Sequence, residues 1–285
     1  MKLLRVGPAG AERPALLDPD GTLRDLSALV PDIDGPLLSD ASALDRIRAA
    51  AAARVLPALD ATGLRIGPPV GRIGKVVCVG LNYHGHAAEF GAPVPSEPVL
   101  FLKAADTVVG PDDTVLVPRG SRKTDWEAEL AVVIGRTARY LESAGSALAH
   151  IAGYALAHDV SEREFQNERG GTWDKGKNCE TFNPLGPWLV TADEVPDPQA
   201  LELRLWVNGE PMQHGHTSDQ IFPVAEVVRY ISQFMTLHPG DIINTGTPGG
   251  VAQGRPEPRP YLRAGDVVEL EIPGLGRQRQ ELKAA

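Results

Sequence analysis

The chain has no apolar run approaching the roughly 20 residues that a bilayer-spanning helix needs, and only two of its 285 residues are cysteine. The first lack argues against a transmembrane protein, the second against a disulfide-stapled scaffold. Cys78, inside KVVCVG, reads as inert core of a buried strand. Cys179, in GKNCET, has no second thiol or fixed histidine spacing to mark a zinc ligand. Both read as reduced. Basic charge is also short: Lys and Arg total 28 against 37 Asp and Glu, a net charge of −9. That balance argues against nucleic acid or an anionic membrane as the main partner. A P-loop is excluded because GK[ST] is missing, no GxGxxG follows a strand, and no GxSxG elbow occurs. The apolar stretch before Arg5 and Pro8 is too short for a secretory signal, so a cytoplasmic address is expected.

What is present describes an ordinary water-soluble chain, 42% hydrophobic and 23% charged, long enough for one large domain or two. Residues 1–70 read as a small αβ unit. RPALLDPDGTLRDLSAL has the form strand, Asp-Pro-Asp-Gly turn, strand. SDASALDRIRAAAAARVLPAL then repeats apolar residues at Leu44, Ile47, Ala51 and Val55, near a helical period. Ser39 or Ser42 is the expected cap and Pro57 the expected stop. GLRIGPPVGRIG suits a linker or an extended crossing strand.

Residues 71–285 are dominated by short strand signals: VVCVG, PVLFLK, DTVLVP, WEAELAVVIG, IAGYALAHD, LELRLWV, DIINTGTP and DVVELEIPG. LELRLWVNGEPMQ reaches Asn-Gly, a strong hairpin signal. One helix is clear, with Pro223 in its first turn and Val224, Val227, Val228, Ile231 and Phe234 on one face. The fold class expected is α+β, mostly β.

Glu127 and Glu129, in TDWEAELAVVIG, are the most informative residues. Strand alternation points both to one face, where two carboxylates repel each other unless a cation or protons compensate. Asp159 ends another apolar stretch thirty residues on. Three hard oxygen ligands from two strands suit Mg²⁺ or Mn²⁺. The plainer alternative is that the two glutamates line the wet face of an edge strand.

GLNYHGHAAEF places Asn82, Tyr83, His84, His86 and Glu89 just beyond a strand, with Tyr83 a candidate substrate contact. On a helical turn, His86 and Glu89 share a face, either as a general-base pair or as an exposed ion pair. HDVSEREFQNERGGTWDKGKN offers Arg163, Gln166 and Lys177 for a bound carboxylate and a developing oxyanion. Arg163 could equally form a surface ion pair with Asp159. The segment is long, polar and glycine-containing, as a lid would be. NTGTPGGV either lets backbone approach a ligand or is a tight turn without one.

GLNYHGHAAE, PVLFLKAADTVVGP, TDWEAELAVVIG, GYALAHDVSEREFQ, DKGKNCETFNPLGP, GDIINTGTPGGV and LRAGDVVELEIPGLG together resemble the fumarylacetoacetate hydrolase family, in its order, over residues 72–280. The resemblance implies a mixed β-sandwich or β-roll catalytic domain behind a small N-terminal αβ domain, a bound Mg²⁺ or Mn²⁺, and a homodimer. It makes Glu127, Glu129 and Asp159 metal ligands, and His86 and Glu89 a catalytic dyad. Lys177 becomes the lysine that polarises substrate oxygen, Arg163 and Gln166 substrate contacts, and Thr247 the holder of a carboxylate end. His158, Asn178 and Ala252 depart from the family pattern. His158 should point away from Asp159 and affect only its surroundings.

The activity this implies is metal-dependent hydrolysis of a C–C bond in a 2,4-dioxo acid, an acylpyruvate or a 2,4-diketo-3-deoxy sugar acid, giving pyruvate and a carboxylic acid. The alternatives are a hydratase, an oxaloacetate decarboxylase or tautomerase, a ureidoglycolate-type lyase, or a non-catalytic binding module.

Overall fold

Strand alternation builds a large sheet with two different faces in the computed structural model, which describes residues 1–285. The sheet has 11 strands. Its main path runs from Leu23–Asp25 through Arg13–Leu17, Lys2–Val6, Asn183–Thr191 and Ile151–His158. It continues through Ala128–Ile134, Ile242–Asn244 and Val76–Gly80 to the edge strand Val99–Lys103. A second, five-stranded sheet orders Glu210–His216, Glu202–Val207, Val267–Ile272, Gly276–Ala284 and Val115–Val117.

Successive residues of the central strands feed two cores. Leu130, Val132, Leu156 and Val77 pack with Leu203, Leu205, Val268 and Leu270 of the second sheet, and with Val227 and Ile231 of the helix Val224–Ile231. Their neighbours Ala131, Val133, Ala155 and Cys78 face the other way, onto Leu3, Leu26, Ile33, Leu37 and Ile47. A period of two therefore serves both faces of one sheet, and the central strands are buried throughout.

The expected boundary near residue 70 divides neither core nor sheet. Lys2 and Leu3 pair with Val190 and Leu189 in the central sheet, and the N-terminal helices cover its second face. The helix Ala41–Ala52 is capped by Asp40, whose carboxylate accepts from the Ala43 N–H, not by Ser39 or Ser42. It stops five residues before Pro57 and leaves Val55 exposed. The second helix likewise ends at Ile231, so Phe234 lies outside it and is 65% exposed.

Two strands had no clear sequence signal. Asn183–Thr191 carries two prolines and a glycine, which mask it as loop. Gly276–Ala284 turns glutamines inward: Gln278 donates to the Leu156 and Gly186 carbonyls, and Gln280 to that of Pro111. Inward amides satisfied by backbone erase the hydrophobic alternation without erasing the strand. Cys78 is buried, Cys179 partly so, and both are free thiols.

Because Leu3, Leu26, Ile33 and Ile47 are fully buried against the central sheet, each is worth about 1.5–3 kcal/mol of burial. A fragment of residues 71–285 is expected to lose cooperative thermal unfolding and to aggregate, checked by circular dichroism and gel filtration. A monodisperse fragment melting with the full chain would instead make the first 70 residues an independent domain.

Candidate active site

Four strand ends meet at one end of the sheet: the start of Ala128–Ile134 and the ends of Ile151–His158, Val76–Gly80 and Ile242–Asn244. Glu127, Glu129 and Asp159 converge there, all buried, with one carboxylate oxygen from each within 4.8 Å of the others. Glu127 and Glu129 are thus not the wet face of an edge strand. They line a cavity of about 170 Å³ whose wall also includes His86, Arg163, Gln166, Lys177 and Thr247.

Three cations answer these carboxylates. Lys177 Nζ donates to Glu127 Oε2 at 2.7 Å and Asp159 Oδ2 at 2.9 Å. Arg163 Nη2 donates to Glu127 Oε1 at 2.6 Å and its Nε to Asp125 Oδ2 at 2.8 Å. Arg163 therefore reaches Asp125 and Glu127, not Asp159. Lys103, fully buried, donates to Asp159 Oδ1 and the Val160 carbonyl. Burial works to raise the Glu127 carboxyl, but Lys177 and Arg163 outweigh it and hold the group well below the usual range. Burial disfavours the Lys177 ammonium, and Asp159 and Glu127 more than restore it.

Glu129 has no such partner. Only the Gly246 N–H reaches it, at 2.7 Å. Burial, then the neighbouring charges of Asp159 and Glu127, push its carboxyl well above the ordinary value. Three hard oxygen donors, one of them uncompensated, fit a divalent cation of the oxygen-loving class.

Across the cavity, His84 to Glu89 form a short helix. His86 is buried and His84 exposed, so the two histidines do not act together. His86 Nδ1 lies 3.1 Å from Glu89 Oε2. The Gly250 N–H holds the other Glu89 oxygen at 3.0 Å, and a Cβ at Gly254 would stand 2.1 Å from the Glu89 carboxyl carbon. The pair is a braced unit, not an exposed ion pair.

Two expected substrate contacts are placed differently. Tyr83 is fully buried and off the cavity wall, its hydroxyl facing Gln220. The reason is Asn82, whose amide bridges the Phe222 and Thr245 carbonyls and turns the chain inward at this point. Thr247 lines the cavity, but its hydroxyl donates to the Ala128 carbonyl at 2.9 Å and accepts from Gln213 at 2.8 Å. Its side chain has no free proton for a substrate carboxylate.

The family-scale comparison decides what such a cavity belongs to. The model for the fumarylacetoacetate (FAA) hydrolase C-terminal domain matches residues 75–283. The chain belongs to the fumarylacetoacetate hydrolase family. A relative from Burkholderia multivorans, carrying only the provisional name hydrolase, is 54% identical over the whole of both chains. The solved maleylpyruvate hydrolase from Sphingobium sp. SYK-6 is 30% identical, fully covered on both sides, with a TM-score of 0.82. A 2-hydroxyhepta-2,4-diene-1,7-dioate isomerase from Mycobacterium marinum is 32% identical, covers 100% of this chain and 98% of its own, and has a TM-score of 0.77. The family makes this an enzyme on small molecules, and one architecture carries both hydrolase and isomerase names. No helix is long and apolar enough to cross a membrane.

Two charged residues of the site, Lys103 and Asp125, carry no periodic signal in the sequence. Lys103 ends the apolar PVLFLK run, where a buried cation needs a buried anion beside it. Asp125 stands two residues before Glu127 and accepts from Arg163 and from the Ala252 and Gln253 N–H groups. His158 does point away from Asp159, and its Nδ1 meets Gln280 Oε1 at 3.0 Å. Asn178 ties the 174–178 turn to the edge strand through the Leu102 carbonyl.

In divalent-free buffer, Glu129→Gln is expected to melt no lower than wild type, since it removes an unpaired buried charge. Added Mg²⁺ should then stabilise wild type alone, by about 2.7 kcal/mol at a hundred times Kd. An equal shift in both proteins would remove Glu129 from the ligand set.

Burial lowers the His158 imidazole from 6.5 to about 4. Its folded value lies below its unfolded one, so the folded state resists protonation. The contribution is complete above pH 6.5 and is lost as pH falls toward 4, by up to about 3 kcal/mol. His158→Asn should flatten the stability curve across that window in denaturant titrations. An unchanged slope would assign the acid sensitivity to other groups.

Proposed function

We propose that this enzyme hydrolyses a C–C bond of a 2,4-dioxo acid, giving pyruvate and a carboxylic acid. The observation that carries the reading is that His86, held by Glu89, shares one small cavity with Glu127 and Glu129, whose carboxylates converge with that of Asp159. The triad would hold Mg²⁺ or Mn²⁺, which when bound supplies Lewis-acid stabilisation of negative charge on the substrate's oxo oxygen.

The protein's own groups supply the rest. Glu89 fixes the tautomer of His86 through Nδ1 and leaves Nε2 to take a proton from water. The water oxygen bonds to C4 of the substrate. The C3–C4 bond then breaks, its electron pair spreading onto C3 and the 2-oxo oxygen. Lys177 keeps one ammonium N–H beyond its two carboxylate bonds for that oxygen. The proton on His86 returns to C3, which completes pyruvate. Gln166 accepts from Arg163 with its Oε1 at 3.0 Å, leaving its NH₂ to orient the substrate carboxylate.

The isomerase neighbour favours a second reading, in which His86 moves a proton between carbons and no water enters. Mass spectrometry separates the two: cleavage consumes one water and yields two smaller acids, whereas isomerisation leaves the mass unchanged. For cleavage, His86→Ala is expected to lower kcat about 10²–10⁴-fold while Mg²⁺ binding by calorimetry stays at the wild-type level. Retained turnover of a 2,4-dioxo acid by this variant would sink the assignment of the base.

A further inference from the structure

We infer that the neutral wall of this cavity forms a subsite for a short, uncharged tail, so that 2-oxo acids bearing a second carboxylate are rejected. The inference rests on reading the cavity as the 2-oxo acid site. It comes from the distribution of charge on the wall.

The cavity's only Lys or Arg side chains are Arg163 and Lys177. Arg163 spends Nε, Nη1 and Nη2 on Asp125, Gln166 and Glu127. Lys177 spends two of its N–H bonds on Glu127 and Asp159. Neither is free to move toward a second anion without leaving a buried carboxylate unpaired, which is costly. Apart from Glu127, Glu129 and His86, the remaining wall is apolar or neutral. Phe101 lies under Lys177 Nζ, 4.9 Å from the ring centroid. Trp173 stacks edge-on against Phe101 at 5.4 Å. Phe90 packs edge-on against His86 at 5.0 Å.

Gly80 fixes the position of Trp173. A Cβ there would stand 2.5 Å from the indole ring, so the indole lies directly on the backbone where the Val76–Gly80 strand ends. Asn167 and Gln253 also line the wall, and their side-chain amides bond to no protein group. They can serve hydroxyl or carbonyl groups on a tail but cannot neutralise a charge. At about 170 Å³, the space is below the ~300–1,000 Å³ usual for drug-sized ligands, which keeps the tail short. In this respect the chain departs from the isomerase neighbour, whose name specifies a dioate.

Calorimetry in millimolar Mg²⁺ with 2-oxopentanoate and 2-oxoglutarate tests this, since the two differ at the tail by a methyl against a carboxylate. Wild type is expected to bind 2-oxopentanoate at least about tenfold more tightly, the equivalent of ~1.4 kcal/mol. Asn167→Lys, which adds a cation to the wall, should raise 2-oxoglutarate affinity about tenfold relative to that of 2-oxopentanoate. Equal or tighter binding of 2-oxoglutarate by wild type overturns the subsite. Should the preference hold while no 2,4-dioxo acid is cleaved, the subsite stands and the cleavage reading falls. Cleavage of neutral-tailed and carboxylated 2,4-dioxo acids with similar kcat/KM does the reverse. Binding of neither ligand removes both.

Discussion

The site depends on an imbalance of buried charge. Asp125, Glu127, Glu129 and Asp159 meet Lys103, Arg163 and Lys177, so four carboxylates face three cations in a region largely shielded from water. A buried ion pair gains Coulomb energy only by giving up hydration. A surplus carboxylate makes that exchange worse, because nothing offsets its desolvation. The protein tolerates the surplus at Glu129, with a single backbone N–H as partner. A divalent cation would relieve the strain, which explains why the surplus sits in the cavity wall.

That imbalance also orders the surroundings. Asp125 accepts from Arg163 on one side and from the Ala252 and Gln253 N–H groups on the other. The loop it grips carries Gly250, which holds Glu89, and Gly254, on which Glu89 rests. A continuous path of hydrogen bonds and packing therefore joins Glu127 to the His86–Glu89 pair. Moving Glu127 would disturb Arg163, then Asp125, then the seat of Glu89. Such a path fixes the distance between the acidic triad and the imidazole more firmly than either loop could alone.

Residues whose signal is a local period or spacing were legible in the sequence. Glu127 and Glu129 share a face because strands alternate, and His86 meets Glu89 because helices place i and i+3 together. The strand character of the large sheet was legible for the same reason. What stayed hidden depends on partners distant in sequence. Lys103 is 56 residues from Asp159, and its burial cannot be inferred without knowing that their two strand ends meet. Tyr83 is suggested by its place just beyond a strand and Thr247 by the resemblance, but Gln220 and Gln213 claim their hydroxyls. The division near residue 70 followed composition, whereas the lead strand pairs with Asn183–Thr191, nearly 190 residues away.

The two faces of the central sheet explain why function collects at its end. Along most of its length both faces are dry, one against the second sheet and one against the N-terminal helices. Neither face has room for a ligand, and an unpaired polar group there would cost free energy. Glu127, Glu129 and Asp159 share the side of the sheet that the N-terminal segment covers lower down, as their alternation with Ala131, Ala155 and Ala157 requires. The lead segment's core stops short of them. What covers the strand ends instead is His86 to Phe90 on one side and the Trp173 to Lys177 turn on the other. Both are short elements anchored at the site, one through Glu89 on Gly250 and Gly254 and one through Lys177 on Glu127 and Asp159. The deep cores thus hold the strand ends that carry the carboxylates, and the two short elements set His86 and Lys177 over them.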